Sequence, residues 1–361
     1  PQAGIAFIDE VFKANSAILN ALLTLLNERE FDNGAGRMRC PLISVVGATN
    51  LVPEDEVGDA FFDRFLLRLI IEPVSHAAFA SLLELDDAAP APELPHRLTD
   101  ADLQALTASA RGMLLPADVA GLLADLRAEL AARNLYVSDR RWVKIRRLLA
   151  CAAAAEGRTQ ITRWDLWLLP YCCAARLDQQ QDIDRWLTER LGVAASAEPL
   201  LVTRVVEAFE AQVQAEREAN DLDYDESGRL RFGADEVDAS VSDNKGAASA
   251  TRMTYTRKRR YGAAHIAARQ AQVDAALARV DRYIAALGAL CADLDAHAAQ
   301  ALWLDPAFAL RARAHLGARL DALVHLRARA LAVRAAFEDL PRLEKDSGVL
   351  PEPMDVPVLA A

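Results

Sequence analysis

Two adjacent carboxylates close a short apolar run, Ile5-Ala6-Phe7-Ile8-Asp9-Glu10. Such a run suits a buried parallel strand, and groups at its carboxyl end face the crevice where open α/β sheets bind ligands. A first carboxylate there can hold magnesium through its water shell. A second, directly after it, can polarise an attacking water, and together they equip a site for nucleotide hydrolysis. The hexapeptide alone reads equally well as an ordinary strand end where acids meet solvent. A second apolar run, Leu42 to Val46, leads into Gly47-Ala48-Thr49-Asn50. If the two strands are neighbours, Asn50 and Glu10 can address the same water or phosphate. Asp59-Ala60-Phe61-Phe62-Asp63-Arg64-Phe65 reads as a short helix entering a third strand, Leu66 to Ile71. At that edge Arg64 either pairs locally with Asp59 or Asp63 or offers its charge outward.

The elements that must position these groups follow from pattern. Asn15 or Ser16 can cap a helix whose Ile18, Leu19, Leu22, Leu23, Leu25 and Leu26 form a broad apolar face. Asn33-Gly34 between short extended pieces signals a hairpin. Strand alternating with helix over residues 1–85 predicts an α/β fold with a parallel sheet. A Pro-rich linker follows at 86–97, then an all-helical domain at 98–192, with Thr99 and Asp102, Pro116, Asp139 and Thr162 marking helix starts. Residues 193–340 predict a long antiparallel bundle of three helices, interrupted by a polar insertion at about 220–256. Within the insertion, Tyr224 to Phe232 reads as a small hairpin. Ile266, Val273, Leu277, Val280, Ile284, Leu287, Cys291 and Leu294 repeat as a heptad seam. The tail, 341–361, reads as loose.

Composition sets the outer bounds. At 361 residues the chain exceeds what one core usually serves, and 52% hydrophobic with 26% charged residues excludes a disordered or low-complexity chain. A net charge of −11 argues against coating nucleic acid with the whole surface. Five cysteines without a CxxC pair and six histidines without an HxxxH pair argue against disulfide or zinc frameworks and fit a reducing cytoplasm. No apolar run approaches the roughly 20 residues of a membrane span. Arg257-Lys258-Arg259-Arg260 reads first as a solvated helix entrance and second as a contact for an anionic partner.

Residues 5 to 71 resemble the second half of an AAA+ ATPase core of the MoxR family, on Phe7 through Lys13, the helix Asn15 to Glu28, Gly47-Ala48-Thr49-Asn50 and Asp63-Arg64-Phe65, in that order. Tyr136-Val137-Ser138-Asp139-Arg140-Arg141-Trp142 and Gly157-Arg158 are similar to the lid of the RavA (regulatory ATPase variant A) branch. The resemblance implies ATP and Mg2+ as cofactors, Asp9 as the magnesium carboxylate of the Walker B motif and Glu10 as catalytic base. It implies Asn50 as sensor 1, Arg64 as an arginine finger reaching a neighbour's site, and Arg140 as the sensor 2 arginine, with Arg141 the lesser candidate. Phe31 to Met38 would be the pre-sensor 1 hairpin. It further implies a ring of identical subunits, hexameric in this family, and a partner with a von Willebrand factor A domain.

The sequence departs from the pattern in two places. No GxxxxGK[ST] phosphate loop occurs in its 361 residues. In this family that loop precedes the strand of Asp9 and Glu10, so the resemblance implies that it lies upstream of Pro1 and that 1–361 alone is inactive. The polar insertion is also too small and too polar for the lysine-decarboxylase-binding domain of the RavA branch, which argues against that partner. The expected activity is ATP hydrolysis coupled to remodelling or maturation of a partner protein. The alternatives are a non-catalytic helical scaffold and a nucleic-acid motor; nucleic acid is not an expected partner.

Overall fold

A computed structural model describes residues 3–32, 36–50, 56–85, 97–191, 199–221, 257–344, 348–357 and 359. The chain forms two compact units, residues 1–191 with 297–310, and residues 192–296 with 311–361.

The first unit opens with β1 (Ile5–Ile8), a 3-10 turn (Val11–Lys13) and α1 (Ser16–Glu28). Then come β2 (Glu30–Asp32), β3 (Arg37–Arg39), β4 (Ser44–Gly47), α2 (Glu56–Phe62) and α3 (His76–Leu83). β1 and β4 pair in parallel, Ile5 beside Ser44 through Ile8 beside Gly47. β2 and β3 pair antiparallel as the Asn-Gly signal predicts, although the turn itself lies outside the described residues. Asn15 caps α1, its side chain accepting from the Ile18 N–H at 3.0 Å. Val11, Leu19 and Phe61 are buried together beneath β1, with Ile8, Leu22, Leu23, Leu26 and Phe65 packed on them.

The third strand expected at Leu66 to Ile71 does not form among the described residues. The start of the segment, Phe65 to Arg68, is bonded to the lid instead. The carbonyls of Phe65 and Leu66 accept from the Arg141 guanidinium, the Arg68 N–H donates to the Tyr171 carbonyl, and the Arg68 carbonyl accepts from Gln180. Leu67, Leu69 and Ile71 are exposed.

The helical region that follows contains α4 (Asp100–Arg111), α5 (Ala117–Ala132), α6 (Asp139–Ala155), a 3-10 turn (Arg163–Leu168), α7 (Leu169–Cys173) and α8 (Leu177–Arg190). Its starts are chemically specified. Thr99 and Asp102 form a reciprocal capping box, as do Thr162 and Asp165, and Ser138 caps α6 by accepting from the Arg141 N–H.

The second unit holds α9 (Pro199–Glu218), the two-residue strands β5 (Asn220–Asp221) and β6 (Arg257–Lys258), and most of α10 (Ala263–Gln300) and α11 (Pro306–Glu338). The heptad positions on α10 are buried as expected, except that Tyr283 takes the place expected for Ile284. Arg334–Asp274, Arg327–Asp281 and Arg313–Asp295 pair along the two long helices, as their antiparallel course requires. The hairpin expected at Tyr224 to Phe232 lies outside the described residues. In the tail, 341–361, expected to be loose, residues 348–357 form no helix or strand, and the chain is held at particular points. Leu359 is buried, its carbonyl accepts from Arg279, and the Glu352 carbonyl accepts from the buried Arg269 at 2.8 Å. Pro353, Met354, Val356 and Pro357 line one cavity together with Val205 and Phe209 of α9 and Ala275 and Ala276 of α10.

Candidate functional site

The β1–β4 register brings the two candidate loops together. The Ala48 N–H donates to the Ile8 carbonyl at 2.9 Å and the Val11 N–H donates to the Ala48 carbonyl at 3.1 Å. Asp9 and Glu10 therefore leave β1 alongside the segment that ends in Asn50, and all three side chains are exposed. The turn at this point is strained. Glu10 holds a left-handed backbone at φ 46, ψ 41, a conformation that costs a non-glycine residue on the order of 1 kcal/mol. The Asp9 carboxylate accepts from the Glu10 N–H at 2.9 Å, and Lys13 pairs with the Glu10 carboxylate at 2.5 Å.

Aromatic packing fastens this turn to the Arg64 segment. Phe12 meets Phe61 edge-on at 5.9 Å and Phe62 at 5.7 Å, and Phe61 meets Phe65 at 5.3 Å. Gly47 is the close approach in this cluster: a methyl group there would lie 3.1 Å from the Phe65 ring. Arg64, half-buried, lies in sequence between Phe62 and Phe65 of this cluster. Its Nη1 donates to the Ala60 carbonyl at 2.7 Å and its Nε to Asn27 at 3.3 Å. Of the two local acids considered from sequence, only the Asp63 side chain is described, and Arg64 makes no ion pair with it. Asp63 is taken by Arg141 at 3.2 Å, and the Asp59 side chain lies outside the described residues. Among the described residues Arg64 makes no hydrogen bond to Asp9, Glu10 or Asn50.

The two lid arginines divide sharply. Arg140 is exposed at the start of α6. Arg141 is 3% exposed, and its donors are spent on protein. Nε donates to the Cys172 carbonyl at 2.5 Å, Nη1 to the Asp63 carbonyl at 3.0 Å, and Nη2 to the Phe65 and Leu66 carbonyls, both at 2.8 Å. One turn on, Lys144 reaches the Arg64 carbonyl at 3.5 Å. Burial pushes the Lys144 ammonium below its ordinary pKa, and Arg141, Arg64 and Arg140 add to that effect against Asp63. Burial likewise lowers Arg68, to about 10, with Arg141 nearby contributing.

Sequence reasoning missed the structural role of Arg141, the Lys144 contact and the Asn27 contact. A signal for the first was present: Arg141, Ile145 and Leu149 recur every four residues, which puts the arginine on the buried face of α6.

The comparisons with known proteins follow the same division of the chain. The MoxR domain of MoxR-vWA-beta-propeller ternary systems matches residues 1–108, and an AAA lid domain matches residues 118–187. Together they support a MoxR-family AAA+ ATPase. Two uncharacterized proteins of Methanocaldococcus jannaschii, MJ0079 and MJ0812, are similar to this chain. They are 38% identical over 172 residues and 36% identical over 174, covering in each case 47% of this chain and 44% of the relative. The chain thus spans under half the length of these curated relatives. AAA+ ATPases use a nucleotide and Mg2+, and the donors at the β1 end, the exposed carboxylate oxygens of Asp9 and Glu10, are of the hard kind such a cation takes. Among the described residues no helix is long and apolar enough to cross a membrane.

Proposed function

We propose that this chain carries the hydrolytic part of a MoxR-type, RavA-like AAA+ ATPase that remodels a partner protein. The observation that carries the reading is the β1–β4 register, which sets Asp9 and Glu10 beside the segment ending in Asn50. In this reading Asp9 holds Mg2+ bound to ATP, and Glu10 takes the proton of the attacking water. Asn50 orients that water, Arg140 meets the nucleotide from the lid, and Arg64 serves the site of an adjoining subunit in a ring. The bound metal neutralises charge on the phosphoryl oxygens. A phosphate loop, which the 361 residues do not contain, completes the site. The matched domain description supports a partner with a von Willebrand factor A domain.

The test separates the two acids in a protein that also carries the phosphate loop. Glu10→Gln preserves shape and removes the base, so ATP binds while hydrolysis falls by roughly 100-fold or more. Asp9→Asn weakens magnesium-dependent ATP binding as well. Nucleotide binding and single-turnover rates report both, and equal loss of affinity in the two variants contradicts the assigned roles.

A further inference from the structure

The segment that carries Arg64 is held from one side by one helix. Four consecutive carbonyls, those of Asp63, Arg64, Phe65 and Leu66, accept from α6: Arg141 takes the first, third and fourth, and Lys144 the second. Arg141 also grips the Asp63 carboxylate and, behind it, the Cys172 carbonyl of α7. A buried guanidinium with this many acceptors is committed, because withdrawing it strands both the charge and the carbonyls. Arg140, the neighbouring residue on the same helix, is exposed.

We infer that α6 is a coupling element in which Arg141 and Lys144 are positioning residues, tying the placement of Arg64 to the position of its own lid. This rests on the proposed roles of Arg140 and Arg64. Nucleotide in a subunit's own site draws on Arg140, α6 shifts with it, and the carbonyl grip carries Arg64 along. The state of one site thereby sets the finger offered to the next. Neither Arg141 nor Lys144 touches the reacting atoms in this scheme; both act through Arg64.

Two measurements test it. In the 1–361 chain, trypsin cleavage after Arg64 uses the carbonyl that Lys144 holds. Well below the melting temperature, Arg141→Lys or Lys144→Met should speed that cleavage by about three- to ten-fold, the scale of one or two lost hydrogen bonds. Unchanged cleavage in both variants overturns the grip.

The second measurement uses loop-bearing rings mixed from two inactive variants. Arg64→Ala with Glu10→Gln is the control, and recovered turnover shows that Arg64 acts in trans. Arg141→Lys should then recover with Glu10→Gln but not with Arg64→Ala, because its defect lies in the finger it offers. The opposite pattern, or recovery with neither partner, overturns the inference while leaving the function intact. Failure of the control removes the reading on which it rests. Should Arg141→Lys not fold, Lys144→Met at its half-buried position takes its place in the same matrix. Wild-type turnover by Lys144→Met together with unchanged cleavage also contradicts the coupling.

Discussion

At the scale of single residues, environment decides which of the reactive-looking groups can react. Cys172 and Cys173 lie buried against α8 and the core, and burial pushes both thiols up to about 12. The thiolate is the reactive form, so neither should be alkylated in the folded protein at pH 8, although Arg141 and Arg68 lie close enough to pull the other way. Mass-spectrometric mapping of modified thiols, native against urea-unfolded, checks this; rapid native labelling of either contradicts the packing described. Glu10 is the opposite case, an exposed acid on a strained turn. The Asp-Glu pair was legible because a strand end is a local pattern. The burial of Arg141 was only half legible: its four-residue spacing with Ile145 and Leu149 names the face, but the acceptors come from residues far away in sequence.

Elements read well from sequence where their ends are chemically marked and poorly where they depend on a distant neighbour. The Asn15 cap and the Thr99–Asp102 and Thr162–Asp165 boxes are side chains bonding to backbone a few residues away, so spacing suffices. Leu66 to Ile71 has a strand's composition, yet a strand exists only through its partner; among the described residues none pairs with it, and lid side chains take the Leu66 and Arg68 carbonyls. The α10–α11 tip adds an arrangement that no local pattern announces. The Leu302 and Trp303 N–H groups both donate to Glu156 at the end of α6, at 2.7 and 3.1 Å. Arg158 bridges Glu156 and Asp165 at 2.8 and 2.6 Å. Burial opposes ionisation of Glu156, but these N–H groups and Arg158 outweigh it and hold its carboxyl below the ordinary 4.5. A carboxylate with a lowered folded pKa stabilises above its unfolded value and loses that contribution as pH falls through the lowered one. Glu156→Gln should therefore cost about 1 kcal/mol or more at pH 7 and remove part of the stability loss seen on acidification below 4.5. Melting temperature against pH for the two proteins measures it, and parallel curves would sink the assignment.

For the whole molecule, the α/β and lid segments share one compact unit while α9 and most of the long helices form another. The helical regions were legible because helix periodicity is a strong signal, whereas the linker expected at 86–97 lies, but for Arg97, outside the described residues. The tail's tie points were not legible, because the burial of Leu359 and the Arg269–Glu352 bond depend on residues far away in sequence. The candidate hydrolytic site lies in the first unit, and the MoxR and lid matches cover that unit's main segment. The most direct measurement is steady-state ATP turnover with Mg2+, comparing the 1–361 chain with the same chain joined to a phosphate-loop segment. Negligible turnover by 1–361 and robust turnover by the loop-bearing protein, abolished by Glu10→Gln, is the expected result. Robust turnover by 1–361 itself, or turnover by the longer protein that is indifferent to Glu10→Gln, contradicts it.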